Sequence, residues 1–315
     1  MRSFRVAGFL RAACVLVATA PILGGCASFP NPFRAPTRAE LAAERQHAKR
    51  LAAEAAEAAR KAVSPEERLA LADRMRRSGR IDKAALAYLS AYERDPSDPV
   101  PQERIAFMQV SRKPEKAEEI FESILREVPD RSSAHAGLGL AHYAQGDLKP
   151  AQNALERAVE LAPDDVLALN TLAVVYDMLE RHEEAQHYYL KVRELRPRDP
   201  RAANNMGVSL LLLGDFVAAE AELRLAVDLD PEDPAGWNNL GLALGHLERY
   251  KEALDAFRKG GDEQGARNNL GYVYFLNGRY AKAIEEYEAA LLEGGNATPT
   301  VLENLDAAVD AAEDR

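Results

Sequence analysis

Three stretches of the chain read almost as copies of one another: "NNMGVSLLLLGDF" at 204–216, "NNLGLALGHLERY" at 238–250 and "NNLGYVYFLNGRY" at 268–280. Self-similarity at a fixed period is the signature of a repeat architecture and is searched for before anything else. Working outward, Ala117, Ala151, Ala185, Ala219 and Ala253 lie 34 residues apart, Ala84 precedes them by 33, and Ala283 follows by 30. Four residues after each alanine stands a large side chain: Tyr88, Phe121, Leu155, Tyr189, Leu223, Phe257 and Tyr287. Small residues recur twelve before the alanines at Ala72, Gly139, Ala173, Gly207, Gly241 and Gly271, with Ile105 out of pattern. Prolines close five units at Pro96, Pro129, Pro163, Pro197 and Pro231.

The pattern is similar to that of the tetratricopeptide repeat, a resemblance that implies two antiparallel helices per unit. Small residues let two helix backbones approach, the large ones fill the gap to the next unit, and proline ends the second helix because its ring cannot continue the hydrogen-bond ladder. No unit buries its apolar face alone, so neighbours must stack. These residues resemble the tetratricopeptide repeat, most completely in Trp237, Leu240, Gly241, Leu244, Tyr250, Ala253 and Phe257. The resemblance implies an all-α fold, a right-handed superhelical solenoid of about seven helix-turn-helix repeats. The units are 65–97, 98–131, 132–165, 166–199, 200–233, 234–263 and 264–297. The sixth is four residues short, and Gly260 and Gly261 stop its second helix early. A capping helix over 298–315 is expected to carry one apolar stripe of Leu302, Leu305, Val309 and Ala312 and an otherwise acidic face.

In this repeat family the first helix of each unit lines a concave groove. By position that places Asn170, Asn204, Asn238 and Asn268 along it, with Asn205, Asn239 and Asn269 beside them. An amide is both donor and acceptor, so such a ladder suits an extended peptide backbone; bracing of adjacent helices is the alternative, and the sequence leaves both open. One turn on come Val174, Val208, Leu242 and Tyr272, then Leu211 and Phe275, an apolar strip expected to bind a protein segment, with core packing as the other reading. Repeats of this family that grip acidic chaperone tails use groove lysines and arginines. The matching positions here are Leu69, Gln102, Ala136 and the four asparagines, so that partner class is not expected.

The N-terminus directs attention to the cell envelope. Arg2, Arg5 and Arg11 precede an uncharged, largely apolar run from Ala12 to Leu23. Such a run is shorter than the roughly 20 residues a spanning helix needs but suits a signal peptide. Leu23-Gly24-Gly25-Cys26 resembles the bacterial lipoprotein signal, which implies acylation of Cys26 as the first mature residue. Cys14 leaves with a signal over 1–25, so neither a disulfide nor a cysteine metal site is expected. Ala27 and Ser28 stand where an inner-membrane retention signal carries Asp, which by resemblance points to the periplasmic side of the outer membrane. A Pro-rich linker over 26–36 and an Ala-rich helix over 37–64 would space the repeats from that anchor.

The formal charge is −10, and residues 228–315 hold 18 acids against 8 bases, a field that repels nucleic acid. Catalytic constellations are lacking. In "HEEAQH", His182 and His187 are five apart rather than the four of a zinc-binding helix, which turns them about 140° apart. His135 and His142 fall at packing positions. No cofactor, metal or enzyme activity is expected. The reading is a protein-binding scaffold, resembling small tetratricopeptide lipoproteins that assist pilus and secretin assembly. An adaptor for peptidoglycan enzymes or outer-membrane assembly is the alternative.

Overall fold

A computed structural model of the chain describes residues 45–46, 49–50, 53, 64–293 and 298–313. The expected signal peptide, Cys26 and the linker lie outside the described residues. Of the Ala-rich stretch, Arg45, Gln46, Lys49, Arg50 and Ala53 are helical and exposed.

Fifteen helices and no strand occur among the described residues. They run α1 (Pro65–Arg77), α2 (Ile81–Arg94), α3 (Val100–Gln109), α4 (Pro114–Glu127), α5 (Ser132–Gln145), α6 (Leu148–Leu161), α7 (Val166–Met178) and α8 (His182–Leu195). They continue as α9 (Pro200–Leu213), α10 (Phe216–Leu229), α11 (Pro234–His246), α12 (Tyr250–Lys259), α13 (Glu263–Leu276), α14 (Tyr280–Glu293) and α15 (Pro299–Glu313). The chain divides into two compact units, 24–168 and 169–315, the division falling within α7.

Local chemistry sets the helix ends. Ser64 and Glu67 form a reciprocal capping box at α1, and Asp199, Asp215, Asp233 and Asp262 each accept a backbone N–H of the helix they start. Pro65, Pro114, Pro200, Pro234 and Pro299 stand at first helical positions, where no N–H is needed. Pro96, Pro129, Pro163, Pro197 and Pro231 each lie two residues beyond a second helix. The turn inside a unit needs one residue in the left-handed region. Gly79, Gly146, Gly214 and Gly278 supply it in four units, but Glu180 and Glu248, at φ 63° and 59°, occupy the equivalent place in two others.

In the unit spanning 24–168, Ala72, Met75, Ala84, Ala87 and Tyr88 form one cluster between α1 and α2. Ala106, Ala117, Phe121, Ile124, Ala134 and Ala141 form the next. Ala106, fully buried, takes the small-residue place that the twelve-residue spacing assigns to Ile105. The place falls eleven before Ala117 instead of twelve, and the repeat is not broken there. A further link joins the second and third pairs: Glu103, 5% exposed, accepts from Arg131 Nη2 at 2.9 Å and Ser133 Oγ at 2.8 Å, with Arg131 Nε completing a fork.

In the unit spanning 169–315, small faces large throughout. A Cβ on Gly207, Gly241 or Gly271 would come within 2.5 Å of Leu223, 2.4 Å of Phe257 or 2.7 Å of Tyr287. Where alanine holds that place, as in Ala173, the facing Tyr189 is anchored by its hydroxyl on Asp177 Oδ2 at 3.0 Å. Burying one such aromatic side chain stabilises the stack by about 1.5–3 kcal/mol. The short helix α12 ends at Lys259 because Gly260 lies against α11: its carbonyl accepts from Asn238 Nδ2 at 3.3 Å, and a Cβ there would stand 2.6 Å from Asn238 Oδ1.

The terminal helix departs from the expected stripe. Val301 and Ala308 are its buried residues and Leu305 packs beside them on α14. Leu302 and Val309 are 42% and 36% exposed, and Ala312 is exposed. The face that meets α14 runs through Val301, Leu305 and Ala308.

Candidate functional site

The candidate groove residues all lie on first helices of the unit 169–315, on α7, α9, α11 and α13. Their amides are engaged with each other. Asn205 Nδ2 donates to Asn170 Oδ1 at 3.0 Å, Asn239 Nδ2 to Asn204 Oδ1 at 2.9 Å, and Asn269 Nδ2 to Asn238 Oδ1 at 3.3 Å. Asn304 Nδ2 of α15 donates to Asn268 Oδ1 at 2.9 Å. One rule makes all four rungs: the second amide of each helix reaches back to the first amide of the helix before it. The phase explains it. A residue one place further along a repeat of 34 lies across the gap between successive first helices, and the shortened sixth unit keeps the rule with a spacing of 31.

These bonds divide the amides by role. Asn204, Asn205 and Asn239 are buried, at 6%, 6% and 0% exposure, and the Oδ1 of Asn239 has no partner. Asn170, Asn238, Asn268 and Asn269 are half-buried. The ladder therefore spends hydrogen-bonding capacity on bracing the stack, the alternative that the sequence left open beside backbone recognition.

The apolar strip divides likewise. Val208 and Leu211 are buried, at 6% and 3% exposure, which settles them in packing. Val174, Leu242 and Tyr272 are half-buried, in register one turn after Asn170, Asn238 and Asn268. Phe275 is half-buried too but packs on the cluster of α14 and α15 and tilts against Tyr280 at 5.4 Å. Val174, Leu242 and Tyr272, beside the half-buried amides, are thus the part of the candidate surface still turned partly to solvent.

Sequence reasoning missed two features. Asn304 sits 35 residues after Asn269, one more than the repeat period of 34, and that near-periodicity was the available signal. The other is a buried carboxylate, Asp177, which accepts from Tyr189 Oη at 3.0 Å and Ser209 Oγ at 2.9 Å and meets His182 Nδ1 at 2.8 Å. It ties α7 to α8 and to α9. This is where His182 is held, while His187 is exposed against the edge of Tyr188. Among the described residues no group of three or more His, Cys, Asp or Glu side chains is placed to hold a metal ion.

Aromatic pairs line the turns: Tyr176 stacks on Tyr188 at 5.5 Å, Phe216 on His246 at 4.3 Å and Tyr250 on Tyr274 at 4.3 Å. Burial holds the His246 imidazole below its ordinary pKa, with a hydrogen bond to Asn277 pulling the other way. Along the second helices, acids are neutralised by arginines of the adjoining unit. Glu220 meets Arg249 at 2.6 Å, Glu248 meets Arg279 at 2.6 Å, and Glu222 is held by Arg193. The acidic rim is thus a set of cross-links as well as a field.

Comparison with known proteins bears on the fold. Family models described as tetratricopeptide repeat match residues 111–175, 178–234, 223–266 and 265–295, more than half of the chain. A tetratricopeptide repeat protein of Parabacteroides merdae is similar with a TM-score of 0.54 at 14% identity, over 78% of this chain and 98% of that one. The crystallised pilF of Pseudomonas aeruginosa is similar with a TM-score of 0.52 at 17% identity, over 65% of this chain and 95% of that one. The Cut9–Hcn1 assembly of the APC/C gives a TM-score of 0.55 at 16% identity, over 79% of this chain and 53% of that one. A curated relative, a protein O-mannosyl-transferase of Caenorhabditis elegans, is 32% identical over 65 residues, which span 21% of this chain and 9% of that protein.

Proposed function

Because the chain belongs to the tetratricopeptide repeat family, a fold of protein-interaction scaffolds, we propose that it is an outer-membrane lipoprotein. In this reading it is anchored by acylated Cys26, and its periplasmic repeats hold a protein partner during assembly of an envelope machine such as a pilus or secretin. The observation that carries the binding surface is the register of Val174, Leu242 and Tyr272. Apolar side chains at the same place of α7, α11 and α13 stay half-buried, while Val208 at that place of α9 and Leu211 one turn on are consumed by packing. Repeated apolar positions beside half-buried amides suit a protein segment with apolar side chains. The Leu-Gly-Gly-Cys signal supports the anchor, and the fold's likeness to pilF is consistent with the envelope role. The scaffold itself is read as non-catalytic.

In-cell photo-crosslinking tests this. A photoreactive residue replaces Leu242 or Tyr272 in the full-length chain, with exposed Ala221 of α10 as the control site. One dominant envelope protein captured from both first-helix sites and not from Ala221 is the expected result, and its identity separates pilus or secretin components from cell-wall enzymes. Equal or absent capture removes this face from the reading. Cys26→Ser is expected to release the protein from the membrane fraction; retention there refutes the lipid anchor.

A further inference from the structure

The helix α15 keeps the register of a first helix. Asn304 takes the donor place of Asn205, Asn239 and Asn269, so Asp306 falls where those helices carry Gly207, Gly241 and Gly271. In a full unit that glycine receives the large side chain of the second helix. In α15 the place holds an exposed carboxylate, flanked by exposed Leu302 and Val309. A large apolar side chain packed on this face as in the regular units would bury an unpaired charge. What fits instead is a group that brings cations to the middle and apolar carbon to the edges.

The other end of the repeats carries that chemistry. Residues 74–80, "RMRRSGR", hold four arginines and no acid, whereas α15 holds four acids and no base. Arg74, Arg77 and Arg80 are exposed, and Ile81 beside them is 41% exposed. Among the described residues none of the three pairs with an acid, and Glu303, Asp306, Asp310 and Glu313 pair with no base. Elsewhere arginines of both kinds occur, Arg131, Arg157, Arg193 and Arg249 each held by a carboxylate and Arg94, Arg112 and Arg126 not, but nowhere else among the described residues do three unheld arginines fall within seven positions.

We infer that the chain associates head to tail with a second copy of itself, the open face of α15 on the arginine-rich turn between α1 and α2 of the next molecule. Such a contact joins two different surfaces, so each molecule offers a free copy of both ends and the contact can repeat from one molecule to the next. It is electrostatically steered and therefore salt-sensitive.

Sedimentation velocity on the full chain, in a density-matched non-ionic detergent, reads it out. The average mass is expected to climb above the 34.6 kDa monomer as protein concentration rises at about 0.05 M salt, and to return to monomer at about 0.5 M, where the screening length falls to roughly 4 Å. E303K/D306K/D310K/E313K and R74E/R77E/R80E alter exposed positions, and their helicity is checked by circular dichroism. Each alone is expected to be monomeric, because both of its ends then carry one sign. An equimolar mixture is expected to recover the wild-type mass growth, since every contact becomes complementary again. A wild-type chain that stays monomeric at low salt overturns the inference, as does association that survives in both variants or a mixture that fails to associate.

Discussion

Asn204 and Asn239 offer a direct measure of whether the amide ladder braces the stack. Removing Asn239 leaves the Asn204 oxygen, in a side chain 6% exposed, without its 2.9 Å donor. A buried acceptor left unpaired costs about 1–3 kcal/mol. Asn239→Ala also abolishes an oxygen that has no partner, so its net cost is expected near the low end, about 1.5 kcal/mol. Asn204→Ala does worse. It leaves the Asn239 side chain at 0% exposure with its donor newly unpaired beside an oxygen already without a partner, for about 2.5 kcal/mol. The double substitution removes both partners and is expected to cost little more than Asn204→Ala alone, giving a coupling of about 1–2 kcal/mol. Urea titration followed by the fluorescence of Trp237, the only tryptophan and a neighbour of Asn239 on α11, reports the relevant helix. Additivity of the two single costs within about 0.4 kcal/mol would refute the bracing account and return the amides to peptide recognition.

The remaining predictions are independent of that cycle. Arg131→Met is expected to destabilise the first unit by about 3–5 kcal/mol in urea titration, because it leaves Glu103 charged and buried, whereas Arg157→Met, on an exposed pair, changes little. Glu180→Gly should raise the melting temperature: it relieves a left-handed backbone worth about 1–2 kcal/mol against a smaller loss to unfolded-chain entropy of about 0.4–1 kcal/mol. His246 is held neutral by burial, so the unfolded chain binds the extra proton. Its contribution is complete above the unfolded value of about 6.5 and is lost as the pH falls through the lower folded value. His246→Gln is expected to flatten the dependence of stability on pH below about 6.5, measured by urea midpoints, and an unchanged slope would dismiss this residue.

Much of the fold was legible in the residues. Helix limits follow from proline, aspartate and glycine at their termini, and those are local effects that need no knowledge of the neighbours. The recurrence of Gly207, Gly241 and Gly271 and of Leu223, Phe257 and Tyr287 was likewise legible, but the large residues, read as filling the gap to the next unit, pack on the glycines of their own unit. The candidate surface was less so. Leu211 and Leu242 read alike in the sequence, yet one is buried and the other half-buried, because burial depends on how the neighbouring helices pack over each site.

The sequence by itself determined the period, the helix pairs and the side chains that fill each joint, because a helical repeat writes its geometry into residue spacing. The tertiary structure decided which face each helix turns to its neighbour. On α15 the buried face runs through Val301, Leu305 and Ala308, which leaves Leu302 and Val309 outside. It also decided that Asn239 pairs with Asn204 across two helices and that Asp177 gathers Tyr189, His182 and Ser209. Those choices depend on the crossing of adjacent helices, which is set by the sum of many weak packing contacts and not by any short stretch of the chain.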